Sequence, residues 1–158
     1  MRPIGNDLGV PGDYVLFGVL VAPAFLLIGV SLLPRARIAG RWTAVLAWLT
    51  LLGAPIVTLS YVASSLPSPW HAMWGLEALL LVAMGICGVV AGVAAYVTHR
   101  LPLWWSSLLA ATIGVLTIST VLFTYFPHGS LIGFGVEVAI LAFFEPTVRR
   151  ESTSGGTP

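Results

Sequence analysis

The sequence predicts an all-α integral membrane protein, a bundle of five transmembrane helices. Of its 158 residues, 58% are hydrophobic and only 8% are charged, and the mean hydropathy is +0.98. Soluble domains carry about 25% charged residues. A soluble domain of this length could not bury so much apolar surface, so the composition assigns the chain to a lipid bilayer. The arginines stand at the ends of apolar segments, as in multi-pass proteins.

Charge and cysteine content exclude several classes of function. The formal net charge is +1, and no run of basic residues is long enough to bind a nucleic acid. We therefore expect no nucleic-acid partner. A single cysteine, Cys87, allows neither an intramolecular disulfide nor a cysteine-based metal cluster. Nothing in the sequence calls for a cofactor.

The first two spans are predicted at 14–33 and 42–63, since a spanning helix needs about 20 apolar residues. A cleavable signal peptide would carry positive charge before its apolar stretch. Here Asp7 and Asp13 precede the stretch, and Arg35, Arg37 and Arg41 follow it. The first segment is therefore expected to stay in the membrane.

The next two spans are predicted at 71–97 and 103–126. The fifth, at about 130–145, is arguable because its apolar part covers only about 14 residues, or ~21 Å, against a hydrocarbon core of ~30 Å. The alternative architecture has four spans and a re-entrant or interfacial segment at this position.

The distribution of arginine favours five spans. With five, six arginines fall on one side of the membrane and only Arg2 on the other. The positive-inside rule then places the N-terminus outside and the C-terminus inside, in the cytoplasmic (plasma) membrane. We expect one transmembrane domain over 1–148 and a disordered cytoplasmic tail over 149–158, which lacks apolar residues.

Prolines fall both at the ends of the predicted spans and inside them. Pro34, Pro102 and Pro127 are predicted at or near helix ends, where a missing backbone donor costs little. Pro23 and Pro55 instead fall inside spans, where each frees a backbone carbonyl. We predict that these two are hinges, either tolerated kinks or the bends of a midplane cavity.

Two glutamates lie within predicted spans, Glu77 in the third and Glu137 in the fifth. An ionised carboxylate in hydrocarbon costs at least ~2.5 kcal/mol, so each should face other helices or a wet cavity. Glu77 is expected near the outer interface and Glu137 closer to the midplane. Both could be polar packing elements, or both could handle a proton or cation.

Small and hydroxylated residues supply the expected surroundings of these carboxylates. Gly85, Gly88 and Gly92 share a helix face with Glu77 and predict close helix packing. Further intramembrane polar candidates follow three- and four-residue spacing in the fourth span: Thr117, Thr120 and Thr124.

Evidence for catalysis or metal binding is weak. His71 and His128 are the candidates for a metal site, but no HxxxH or HxxE spacing occurs. No nucleophile elbow is present, and no catalytic residue is predicted.

The sequence therefore predicts a structural or accessory subunit that works in a homo-oligomer or a larger membrane complex within the lipid bilayer. The alternative is a small proton- or cation-coupled transporter or channel that uses Glu137 and Glu77.

Overall fold

The computed structural model describes residues 11–64, 74–123 and 128–144, which form helices and no strand. The helices are α1 (Pro11–Ala39), α2 (Arg41–Ser64), α3 (Trp74–Val97), α4 (Leu103–Ala110), α5 (Thr112–Phe123) and α6 (His128–Phe143). Only Ala111 separates α4 from α5, so the chain traverses the bundle five times, with α4 and α5 together as the fourth pass.

Successive passes are antiparallel and form a ring. Glycines allow the closest approach in the α1–α2 hairpin, where Gly29 lies against Leu51 and Gly53 lies against the ring of Phe25. Helix α3 packs between α2 and the α4–α5 pass, and α6 packs on α5. Helix α6 also contacts α1, where Gly135 meets Ile28, and this contact closes the ring.

The interior of the ring holds both large apolar side chains and polar ones. Phe25, Met84 and Phe134 are fully buried, as are the polar residues Thr50 and Glu77. The exterior is apolar, and side chains such as Leu27, Val121 and Phe143 are largely exposed. A soluble protein of this size rarely exposes so much contiguous apolar surface. This distribution is compatible with a helical membrane bundle.

The lengths of the helices support three to four membrane spans. Three helical segments are long and apolar enough to cross a bilayer, namely Val21–Ala39, Arg41–Ser60 and Gly75–Val97. The bent pair α4 and α5 makes a fourth if it counts as one span. The apolar part of α6, Ser130–Phe143, is shorter.

The prediction of a loop over 34–41 is wrong, because α1 continues through Pro34 to Ala39 and only Gly40 separates α1 from α2. Pro34 is exposed, and its ring is accommodated within the helix. The Arg35 guanidinium donates a hydrogen bond to the Ser31 carbonyl in the same turn. The helix ends at Ala39, and the next residue, Gly40, has a φ of +105°, a backbone conformation that favours glycine.

The fourth pass is not the continuous helix that the sequence predicts. A bend of 50° separates α4 from α5, although no proline lies there. The Thr112 hydroxyl lies 2.7 Å from the Leu109 carbonyl oxygen, and such side-chain bonding to a preceding turn bends helices.

Pro23 and Pro55 lie inside unbroken helices, and both are exposed on the outside of the ring. Among the spans that the structure describes, the sharp break is therefore at Ala111 and not at either proline. The predicted tail, 149–158, lies outside the described residues, as does Pro127.

Candidate functional site

Glu137 lies in the middle of α6 and faces the fourth pass. Its side chain is only 2% exposed. The Thr112 hydroxyl oxygen, at the α4–α5 bend, lies 2.7 Å from Glu137 Oε1 and donates a hydrogen bond to it. Glu137 Oε2 is also buried, and it has no hydrogen-bond partner among the residues that the structure describes. One carboxyl oxygen is thus engaged, and the other points into the bundle without a described partner.

A glycine on α3 gives Thr112 its position. A methyl group added at Gly88 would lie 2.5 Å from Thr112 Cβ and 2.6 Å from its hydroxyl oxygen, closer than real side chains approach. The absence of a side chain at Gly88 lets Thr112 fit between α3 and α6. The Gly88–Thr112–Glu137 node therefore joins three passes of the ring.

The Thr112 hydroxyl has two acceptors but one proton. Its oxygen lies 2.7 Å from the Leu109 carbonyl oxygen and 2.7 Å from Glu137 Oε1. A hydroxyl donates one hydrogen bond and accepts up to two. The single hydroxyl proton is therefore shared between these two acceptors or donated to one of them at a time. The Thr112 hydroxyl thus links the backbone of the fourth pass to the Glu137 carboxyl.

The node lies at mid-height in the bundle. Gly88 is near the middle of α3, Thr112 divides the bent fourth pass, and Glu137 is near the middle of α6. If these passes cross a membrane, the node lies close to the bilayer midplane.

Glu77 occupies a second interior position, in the first turn of α3. The side chain is fully buried, and it lies beside the Ser60 hydroxyl on α2. Glu77 therefore belongs to the α2–α3 contact, whereas Glu137 belongs to the contact between α6 and the fourth pass. Each of the two predicted carboxylates faces a hydroxyl on a neighbouring pass.

The predicted threonines do not supply those hydroxyls. Thr117 is exposed and donates to the Ile113 carbonyl, and Thr120 donates to the Leu116 carbonyl of its own helix. Thr124 lies outside the described residues. Hydroxyls bonded within their own helix add little to packing between helices.

Thr112, which the sequence reasoning missed, lies on the buried face of the fourth pass with Trp105, Leu109 and Leu116. Three- and four-residue spacing from these large apolar residues was the available signal, because a lone threonine in such a stripe faces the interior.

The glycine stripe of α3 is used inside the chain. Gly85 lies against Ile113, Gly88 against Thr112, and Gly92 against the backbone of Ser106 and Ala110. All three glycines are buried. This face of α3 is therefore covered by the fourth pass and is not available to a second protein.

The described part of the chain offers no further metal ligands to the candidates His71 and His128. No group of three or more histidine, cysteine, aspartate or glutamate side chains within 11–64, 74–123 and 128–144 could hold a metal ion. His71 lies outside these residues, and His128 begins α6 with a side chain that is not described. The Cys87 thiol donates a hydrogen bond of 3.3 Å to the Trp42 carbonyl.

No protein-family model, curated protein or solved structure matches this chain.

Proposed function

We propose that the five passes cross a membrane, with the N-terminus outside and the C-terminus inside. Support comes from the arginines of the described chain, which all lie at one end of the bundle: Arg35, Arg37, Arg41 and Arg100. The positive-inside rule assigns that end to the cytoplasm. The short α6 would span a locally thinned bilayer.

Cysteine labelling tests this topology. The variant Cys87→Ala removes the native thiol, and Ser154→Cys then places one reporter in the C-terminal tail. We expect an impermeant maleimide to label this residue only after the cells are opened. Labelling of intact cells would contradict the five-span topology.

We further propose that the protein takes up a proton or a small cation at Glu137. The observation that carries this proposal is the contact between the buried Glu137 carboxyl and the Thr112 hydroxyl at mid-height in the bundle. An ionisable residue inside a membrane is costly and commonly marks a proton or ion pathway. A carboxyl with one oxygen unpartnered in the described chain can exchange its proton for a cation or release it to a neighbouring group.

Glu77 would serve this pathway from the opposite side of the membrane to the arginines. It lies one turn from the beginning of α3, at the end of the bundle where α1 begins. A proton or cation entering from outside would then meet Glu77 and Ser60 before Glu137. In this proposal the two carboxyls lie at successive depths.

Flux measurements in proteoliposomes test the proposal. Protons, Na⁺ and K⁺ are assayed separately for the native protein and for Glu137→Gln, which keeps the shape of the side chain and removes the ionisable group. We expect flux of one of these ions, lost in a Glu137→Gln protein whose thermal unfolding midpoint is unchanged. Flux that persists in Glu137→Gln, or no flux of any of the three ions, would contradict the proposal.

A structural or accessory subunit is the second candidate function. It is favoured by the very short connections, since Gly40 alone joins α1 to α2 and residues 98–102 join α3 to α4. These connections leave little surface outside the membrane for chemistry. Because the α3 glycines are covered, a partner or a second copy would have to use the exposed apolar faces. A particle that is strictly monomeric in a gentle detergent and after cross-linking in native membranes would argue against this candidate.

A further inference from the structure

A cluster of basic residues lies at the end of the bundle where α1 meets α2 and α3 meets α4. We call it the arginine face, and it consists of Arg35, Arg37, Arg41, His99 and Arg100. The acidic residues of the described chain lie elsewhere: Asp13 at the opposite end in the first turn of α1, and Glu77 and Glu137 inside the bundle. The arginine face therefore has no carboxylate of the described chain to balance its charge.

The turn after α3 aims Arg100 at the α1–α2 junction. The Arg100 amide donates to the Ala95 carbonyl at 3.1 Å, and the His99 amide donates to the Tyr96 carbonyl at 3.0 Å. His99 adopts a φ of 51°, as the residue after a helix does in this capping motif. Two backbone hydrogen bonds thus fix the direction in which the chain leaves α3.

The Arg100 guanidinium closes over the turn between α1 and α2. A methyl group added at Gly40 would lie 3.0 Å from Arg100 Nη1. Arg41 follows Gly40 directly, and its guanidinium lies 5.4 Å from the centre of the Trp42 ring. Arg100 therefore lies against the residue that precedes Arg41, so two hairpins that are distant in sequence place basic residues at the same turn.

We propose that the arginine face binds the headgroup phosphate of an anionic phospholipid, at the turn where Gly40, Arg41 and Arg100 meet. Guanidinium groups hold phosphate oxygens with paired hydrogen bonds. Because Gly40 has no side chain, the Arg100 guanidinium can lie against its backbone. Basic pockets between transmembrane helices on the cytoplasmic side bind such headgroups, and Trp42 and Trp104 are partly exposed at this end, as interfacial residues are.

A lipid accounts for the site better than a free anion because apolar side chains are exposed beside the basic residues. Val45, Leu103 and Trp104 are exposed near the arginine face, where acyl chains would lie. A free phosphate would use the same guanidinium groups but would gain nothing from these side chains.

Thermal unfolding of the purified full-length protein in a neutral detergent tests the proposal. The probes are short-chain dioctanoyl phosphatidylglycerol, dioctanoyl phosphatidylcholine and inorganic phosphate. We expect phosphatidylglycerol to raise the unfolding midpoint well above the effect of either of the others. Arg100→Gln should weaken the apparent affinity for phosphatidylglycerol about fivefold, the contribution of one basic residue near an anionic membrane surface.

Matched variants control for charge and for folding. Arg100→Lys keeps the charge but loses the planar fork, so we expect an intermediate affinity. Arg2→Gln makes the same charge change in the N-terminal segment and should leave the affinity unchanged. Should Arg100→Gln fail to fold, Arg41→Gln provides the same comparison at an exposed position.

Three results would overturn the proposal. The first is an equal response to phosphatidylglycerol and phosphatidylcholine. The second is an equal response to phosphatidylglycerol and inorganic phosphate, which would indicate a general anion site. The third is an unchanged affinity in both Arg100→Gln and Arg41→Gln. The measurement needs neither ion flux nor a particular orientation. The lipid proposal can therefore be contradicted without contradicting the proposed function, and the reverse also holds.

Discussion

At Glu137, one hydroxyl from a neighbouring pass offsets part of the cost of burying a carboxyl. Such a bond between membrane helices is worth about 0.6 kcal/mol on average and at most ~1.7 kcal/mol. That is less than the ~2.5 kcal/mol or more that an ionised acid costs at the centre of a spanning helix. Thr112 alone therefore does not balance a charged Glu137, and the carboxyl needs a proton, a cation or water beside Oε2.

Thr112→Val tests the energetic role of the hydroxyl. Valine keeps the shape of threonine but donates no hydrogen bond, so we expect the protein to lose about 0.6–1.7 kcal/mol of stability. Unfolding by denaturing detergent measures this loss. Thr112→Ser, which retains the hydroxyl, should lose clearly less. Equal losses in the two variants would show that packing and not the hydrogen bond holds Thr112 in place.

His99→Gly tests the turn that directs Arg100. A non-glycine residue in the left-handed region costs roughly 1–2 kcal/mol. Glycine avoids this cost, but it loses more conformational entropy on folding, which offsets part of the gain. With φ at 51°, we expect His99→Gly to stabilise the protein by up to about 1 kcal/mol in thermal unfolding. Thr98→Gly, one residue earlier, is the control and should not stabilise. A lower unfolding midpoint for His99→Gly would contradict the described turn.

Sequence reasoning at this scale found both buried carboxylates but missed their partners. Glu77 and Glu137 were recognisable because a carboxyl in an apolar segment must turn inward. On a straight helix Thr117 and Thr120 share a face, and the prediction followed that polar pattern. Thr112 lies on a different face, among large apolar residues. The contact of Thr112 with Gly88 and Glu137 joins three passes, and no local sequence pattern reports such a contact.

Helix packing in this protein depends on where glycines allow close approach. Gly88 meets Thr112 so closely that no side chain fits, whereas Gly114, two residues after Thr112, has open space where its side chain would be. The two positions form a natural pair, because the same substitution has opposite expected effects.

Gly88→Ala should destabilise the protein by about 1–3 kcal/mol, since the added methyl forces Thr112 and its helix to move. Gly114→Ala should be neutral or stabilise by up to about 1 kcal/mol, because alanine favours helix and meets no neighbour. Chemical unfolding of both variants measures the difference. Similar effects at the two positions would mean that α3 does not pack on the fourth pass as described.

The bounds of the helices were predictable where composition changes sharply. Helix α2 begins at Arg41, one residue before the predicted span 42–63. Helix α3 ends at Val97, the last residue of the predicted span 71–97. The end of α1 was not predictable from Pro34, because proline excludes only the hydrogen bond to the residue four positions earlier. An exposed proline near the end of a long helix leaves the turns that follow intact.

On the scale of the whole molecule, the exterior of the bundle is apolar, and the interior holds both apolar and polar side chains. The all-helical bundle and the apolar exterior agree with the prediction from composition, and three to four helices are long and apolar enough to span a membrane. The closing contact between α6 and α1 joins the first and the last helix that the structure describes. Sequence patterns carry no information on such a long-range contact, so the ring could not be derived from them.

The central claim is that the Glu137 carboxyl binds and releases a proton while it contacts Thr112. Infrared difference spectroscopy of the reconstituted protein after a pH jump measures this step most directly, because a protonated carboxyl has its own carbonyl band. We expect a band that is present in the native protein, shifted in Thr112→Val and absent from Glu137→Gln. Identical difference spectra for the native protein and Glu137→Gln would contradict the account.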